Sequence, residues 1–250
     1  MTVRARAALR IGVPLAVLLS ALSLLGQLLV HGWGMESGAI PFYADLTDVD
    51  FERSIPTFFQ TAVLLACAAT LWTVADDVRR CGGRDRRHWQ VLAAAFLFLA
   101  ADESLALHER ATEPVRETLG LGGVFHLAWI VVAVPLVALF AASFLPFLRR
   151  LPRRTSAAIV ASGALYLAGT VGMEMVGGVL FESGGPDTVA FSVATTAEEL
   201  LEMLGMLLFL ATVADFRQRH LEARLRQIDV LEAMSVEPVA RRAKSTSEVR

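Results

Sequence analysis

Ala197-Glu198-Glu199-Leu200-Leu201-Glu202-Met203-Leu204-Gly205-Met206-Leu207-Leu208-Phe209-Leu210-Ala211 places three carboxyl groups inside an apolar run that extends over 189–214. About 20 mostly apolar residues carry a helix through a bilayer core, so the run is long enough to cross one. Five more stretches qualify: 9–30, 54–75, 89–107, 124–148 and 156–181. Of the 250 residues 55% are apolar and 19% charged, and the mean hydropathy is +0.54. That composition excludes a disordered chain and a nucleic-acid binder and argues against an ordinary soluble enzyme. The chain reads as all-α: a polytopic membrane six-helix bundle over 1–214, with the lipid bilayer as its first partner.

Basic residues set the expected orientation. Arg4, Arg6 and Arg10 precede the first run, and Arg79, Arg80, Arg84, Arg86 and Arg87 follow the second. Arg149, Arg150, Arg153 and Arg154 follow the fourth, and a basic tail follows the sixth. The alternate loops hold only Arg53, Arg110 and Arg116, beside acids such as Asp45, Asp48, Asp50, Glu113, Glu117, Glu182 and Asp187. Both termini are therefore expected on the cytoplasmic side. Ala21-Leu22-Ser23 resembles a signal-peptide cleavage site, but the apolar run continues to Val30, which favours an uncleaved span.

Cys67 within the second run and Cys81 in a loop share no environment, and no Cys-x-x-Cys spacing exists, so neither a structural disulfide nor a cysteine metal site is expected. Residues 215–234 read as an amphipathic cytoplasmic helix, because Leu221, Leu225, Ile228 and Leu231 recur at helical spacing. It is either a solvated continuation of the sixth span or a coiled-coil or membrane-surface contact that would support a homo-oligomer. Residues 235–250, rich in Ser, Thr, Pro and basic groups, read as disordered.

The chemistry lies in polar groups where lipid should be. Asp102, Glu103, His108 and Glu109 sit in or at the end of the third run, and Glu174 in the fifth. Glu198, Glu199 and Glu202 sit in the sixth. Three ionised central glutamates cost on the order of 8–10 kcal/mol, while about eleven Leu, Phe and Val residues in that run return about 3–7 kcal/mol. Such side chains must face the bundle. At 100° per residue Glu198, Glu199 and Glu202 share one arc, and a continuous helix would put Asp102, His108 and Glu109 on a common face, with Glu103 apart. At about 1.5 Å per residue, Asp102 and Glu202 lie about 20 Å from the cytoplasmic ends of their spans. Glu198, Glu174 and His108 lie at about 25–29 Å, so all fall in one outward layer. His31 and His126 read as interfacial residues, Ser104 and Tyr166 as packing or hydrogen-bonding residues, and Met173, Met175, Met203 and Met206 as core.

Carboxylates with imidazole suit a divalent metal such as Zn, Fe or Mn. Asp102, His108, Glu109, Glu174, Glu198 and Glu202 are the candidate ligands, with Glu103 and Glu199 as candidate catalytic, proton-handling neighbours. A metal there would activate water or dioxygen beside a lipid-soluble substrate. The Glu-x-x-His motif of di-iron bundles and the His-Glu-x-x-His zinc signature are both absent. A proton- or cation-coupled transporter using the same acids as a relay is the alternative, and it predicts a hydrated path to the cytoplasm. A catalytic site predicts a closed cytoplasmic half and a side opening to lipid. A structural partner subunit without chemistry predicts scattered acids, each satisfied locally.

Phe98-Leu99-Ala100-Ala101-Asp102-Glu103-Ser104-Leu105-Ala106-Leu107-His108-Glu109, joined with Glu198-Glu199-Leu200-Leu201-Glu202-Met203-Leu204-Gly205, resembles an uncharacterised bacterial multi-pass membrane protein family. The resemblance covers spans three to six. It implies a bacterial plasma-membrane location and assigns no activity. The chain lacks the paired late-span histidines of ceramidase-like hydrolases, so their zinc site does not carry over.

Overall fold

The structure is a computed structural model that describes residues 1–35, 37–51, 53–120 and 128–231, apart from the side chains of Glu109 and Glu113. His126 and the tail expected to be disordered lie outside the described residues. Among the described residues every regular element is helical. α1 (Val3–Gln27) runs on through a π-helical turn, Leu28–Gly32, and α2 (Ile40–Thr47) is a short helix in the loop that follows. α3 (Ile55–Arg80) and α4 (Arg86–Leu105) pack as a pair, and α5 (Leu107–Leu119) leaves α4 at a sharp bend. α6 (Ile130–Arg150) precedes α7 (Arg153–Leu167), which passes through a π-helical turn, Ala168–Met173, into α8 (Glu174–Gly184). α9 (Val189–Phe216) continues through a third π-helical turn, Arg217–Leu221, and 222–231 remain helical.

Among the described residues, four helical stretches are long and apolar enough to cross a membrane: Val3–Gly32, Ile55–Arg80, Ile130–Arg150 and Arg153–Gly184. The bent pair α4–α5 makes a fifth if it is taken as one span. α9 has the length, at 28 residues, but Glu198, Glu199, Glu202 and Asp215 give it more charge than composition alone would accept in a span. Caps explain where the helices begin. Ser54 Oγ accepts from the Thr57 backbone N–H at 3.3 Å with Pro56 in the first turn of α3, and Thr188 Oγ1 accepts from the Phe191 N–H at 3.3 Å at the start of α9.

One end of the bundle is dry and closely packed. Trp89 meets Phe147 edge-on at 5.0 Å and stacks on Phe216 at 5.2 Å, and Phe96 stacks on Phe209 at 4.4 Å. Leu64, Cys67, Leu71 and Val74 of α3 join Met203, Met206, Leu207 and Val213 of α9 in the same core. Beyond this core, at the same end, the polar termini are tied together. The Thr2 N–H donates to Asp215 Oδ1 at 2.5 Å, Arg4 pairs with Glu222 at 2.9 Å, and Arg217 with Asp77 at 2.7 Å. Arg150 holds Asp85 at 2.6 Å.

α7 and α9 approach backbone to backbone. A Cβ on Gly205 would stand 2.8 Å from the Tyr166 N, and one on Gly169 would stand 2.6 Å from the Glu198 carbonyl oxygen. Small residues at such contacts are how membrane helices gain packing area. The close approach positions the carboxyls of α9 against the turn between α7 and α8.

Candidate functional site

α4 does not continue to Glu109 as one helix. Ala106 adopts φ 45° and ψ 50°, a left-handed conformation that costs an L residue roughly 1–2 kcal/mol. The two helical segments on either side differ in direction by 88°. Asp102 compensates at the break. Its Oδ1 accepts the His108 backbone N–H at 3.0 Å, one of the unpaired donors in the first turn of α5. Its Oδ2 accepts from His108 Nδ1–H, also at 3.0 Å. The expected common face of Asp102, His108 and Glu109 on a continuous helix is therefore corrected: the bend, and not helical periodicity, brings Asp102 and His108 together. The side chain of Glu109 lies outside the described residues.

The π-helical turn between α7 and α8 supplies the opposite wall. The Thr170 hydroxyl donates to Glu202 Oε1 at 2.6 Å, and Glu202 is 8% exposed. Four residues on, Glu174 is 7% exposed, and its Oε1 accepts from Trp129 Nε1–H at 2.8 Å. The Trp129 ring also lies 5.1 Å from the His108 ring, so one indole spans the histidine and the glutamate. On α9, Glu198 lines two cavities together with Glu174. Glu199 accepts from the side-chain amide of Gln60, which reaches across from α3.

Two adjoining cavities meet at these groups. The first, of about 350 Å³, is bounded by Asp50, Thr57, Thr112, Phe181 and Thr195. The second, of about 440 Å³, extends past Asp102, Tyr166, Thr170 and Glu202 between α4, α6 and α7. Glu103, His108, Glu174, Glu198 and Glu199 line both. Seven of the eight sequence-selected residues thus face connected space. Among the described residues, no three His, Cys, Asp or Glu side chains are close enough to hold one metal ion.

A family model described as a domain of unknown function (DUF8692) matches residues 12–216. The chain belongs to this family. The DUF8692 match covers every residue that lines the two cavities, and it ends where the tail begins. No curated protein and no solved structure matches the chain.

The remaining expected residues separate. His31 falls in the π-helical turn at the end of α1 and lines neither cavity. Met203 and Met206 are core. Ser104 bonds to its own helix at Ala100 O and to the Thr61 hydroxyl at 3.1 Å, whereas Tyr166 borders the second cavity. Leu221 and Leu225 of the tail are buried against the chain's own bundle, at 5% and 8% exposure, while Leu231 is exposed. Sequence reading passed over Trp129, Gln60, Thr170 and Asp50. A Trp that opens a span carries an N–H in need of an acceptor. The buried Gln60 had no acid near it in sequence, and Thr170, one turn before Glu174, reaches instead to Glu202 on another helix.

Proposed function

We propose that the chain is a six-span protein of the bacterial plasma membrane with both termini cytoplasmic. Its carboxylate and histidine cluster is an outward-facing acid–base site for a membrane-soluble substrate. Parity supports six spans. The contacts of Thr2 with Asp215 and of Arg4 with Glu222 hold the start of α1 beside the end of α9, which supports an even number of crossings. The four apolar helices, the bent α4–α5 pair and α9 make six. The arginines gathered at that end orient it to the cytoplasm.

The observation that carries the chemical reading is that Glu174 and Glu198 line the same cavities as the Asp102-bonded His108. Two carboxyls enclosed in one pocket are stabilised by a proton or a cation shared between them. Asp102 holds His108 in the tautomer protonated at Nδ1, which directs the basic lone pair of the ring to Nε2. A proton accepted at Nε2 and a proton returned from the Glu174–Glu198 pair make a general base and a general acid within one pocket. The packed core from Met203 to Phe216 supports a lipid-side site over a relay to the cytoplasm. A divalent metal is the second reading, favoured by the Asp102–His108 bond, since a carboxylate commonly orients a ligating imidazole in this way.

Carbodiimide labelling in lipid nanodiscs tests the reading. A lipid-soluble carbodiimide, which reacts with protonated carboxyls, is expected to modify Glu198 or Glu174, and a water-soluble one to leave both intact. Absence of modification by either reagent contradicts the shared proton. A stoichiometric transition metal in chelator-free protein, lost in Glu198→Gln, would replace the acid–base reading with the metal reading.

A further inference from the structure

α6 touches the bundle at its two ends. Ile130 is buried at one end and Phe144 and Phe147 at the other, and no residue between them is buried. The gap left along its middle is the larger cavity, whose 440 Å³ falls within the roughly 300–1,000 Å³ typical of small-molecule sites. One wall is hydrocarbon: Phe98, Leu107, Val132 and Leu136 line it, and Phe98 and Leu136 are 60% and 61% exposed. In a bilayer, exposed hydrocarbon at this depth meets acyl chains, so the natural entrant arrives from the lipid phase.

The inner end has the opposite character. Among the described residues its ionisable lining consists of six carboxylic acids, His108 and Tyr166, with no Lys or Arg in either cavity. A phosphate or carboxylate head group would meet like charge at low dielectric. An ammonium would meet carboxylates, with the aromatic side chains of Trp129 and Tyr166 in the same lining. We infer that the cavity between α4, α6 and α7 takes a single-chain lipophilic amine, its hydrocarbon tail against Leu136 and Phe98 and its amine head between Glu198 and Glu202. This inference rests on the proposed acid–base site and names the class of molecule it serves.

The test uses the full chain in nanodiscs of zwitterionic lipid, titrated with a dodecylamine brominated along its chain. Quenching of Trp129 is read as the difference between wild type and Trp129→Phe. Parallel titrations use the matching brominated alcohol and alkyl phosphate. The amine is expected to quench saturably, at least tenfold more tightly than the alcohol, with no saturable signal from the phosphate. Leu136→Phe, which fills the exposed end of the cavity without adding an indole, is expected to weaken amine binding at least tenfold. Equal binding of amine and alcohol, or tighter binding of the phosphate, overturns the inference. If Glu198 labels but the amine does not bind preferentially, the acid–base site stands and the amine assignment falls. If Glu198 does not label, the site itself fails.

Discussion

Asp102 holds His108 at two points, accepting its backbone N–H and its ring Nδ1–H, each at 3.0 Å. One carboxylate thus ends the bend in the chain and sets the tautomer of the imidazole. The two roles separate on substitution. Asp102→Asn retains an acceptor for the backbone N–H, but its amide cannot accept from the ring as well. Nitrogen NMR of histidine-labelled protein is expected to show Nδ1–H at His108 in the wild type and Nε2–H in Asp102→Asn. Asp102→Ala is expected to lose about 1 kcal/mol of stability as well, as removal of a helix cap does. An unchanged tautomer in Asp102→Asn would remove Asp102 from the site.

The bend itself is testable through Ala106. A left-handed alanine costs roughly 1–2 kcal/mol, and glycine removes that cost while adding about 0.5–1 kcal/mol of unfolded-state entropy. Ala106→Gly is therefore expected to stabilise the protein by about 0.5–1 kcal/mol in thermal unfolding, and Ala106→Val to destabilise it. A loss of stability in Ala106→Gly would indicate that α4 continues unbroken through this position.

The approach of α7 to α9 makes a paired prediction. Gly205→Ala puts a methyl group 2.8 Å from the Tyr166 N and is expected to cost about 1–3 kcal/mol, as overpacking does. Gly163→Ala, on α7 with open space around the new methyl, is expected to be stabilising by up to about 1 kcal/mol, the usual gain of alanine over glycine in a helix. Equal effects at the two positions would contradict the packing described.

Orientation is read from Cys81, which lies in the loop between α3 and α4 at the end shared with the termini. A membrane-impermeant maleimide is expected to leave Cys81 unlabelled in intact cells and to label it after permeabilisation, while Cys67, fully buried, stays unreactive. Labelling in intact cells would reverse the topology.

The helices were legible in the sequence because hydrocarbon length, Ser54 before Pro56, and Thr188 before an apolar run are local signals. The acids of α9 were legible because the cost of placing them in lipid leaves only the bundle interior. The break at Ala106 was not, since neither glycine nor proline marks it and the capping group, Asp102, lies on the preceding helix. Trp129 and Gln60 reach the site from helices whose sequences carry no acid nearby, so their roles exist only after packing. The leucine stripe of the tail was legible as apolar, but its partner was not: Leu221 and Leu225 cover the chain's own bundle, where the pattern fitted a solvated continuation of the last span or a coiled-coil or membrane-surface contact.

The convergence of α8 and α9 on one pocket is tested most directly by thiol cross-linking of Glu174→Cys/Glu198→Cys in a Cys67→Ala/Cys81→Ala background. Dibromobimane, which becomes fluorescent only when it bridges two nearby thiols, is expected to light up the double variant in native membranes and neither single variant. A dark double variant whose two cysteines each react with a simple maleimide would show that the two side chains do not meet, and the site with its chemistry would be withdrawn.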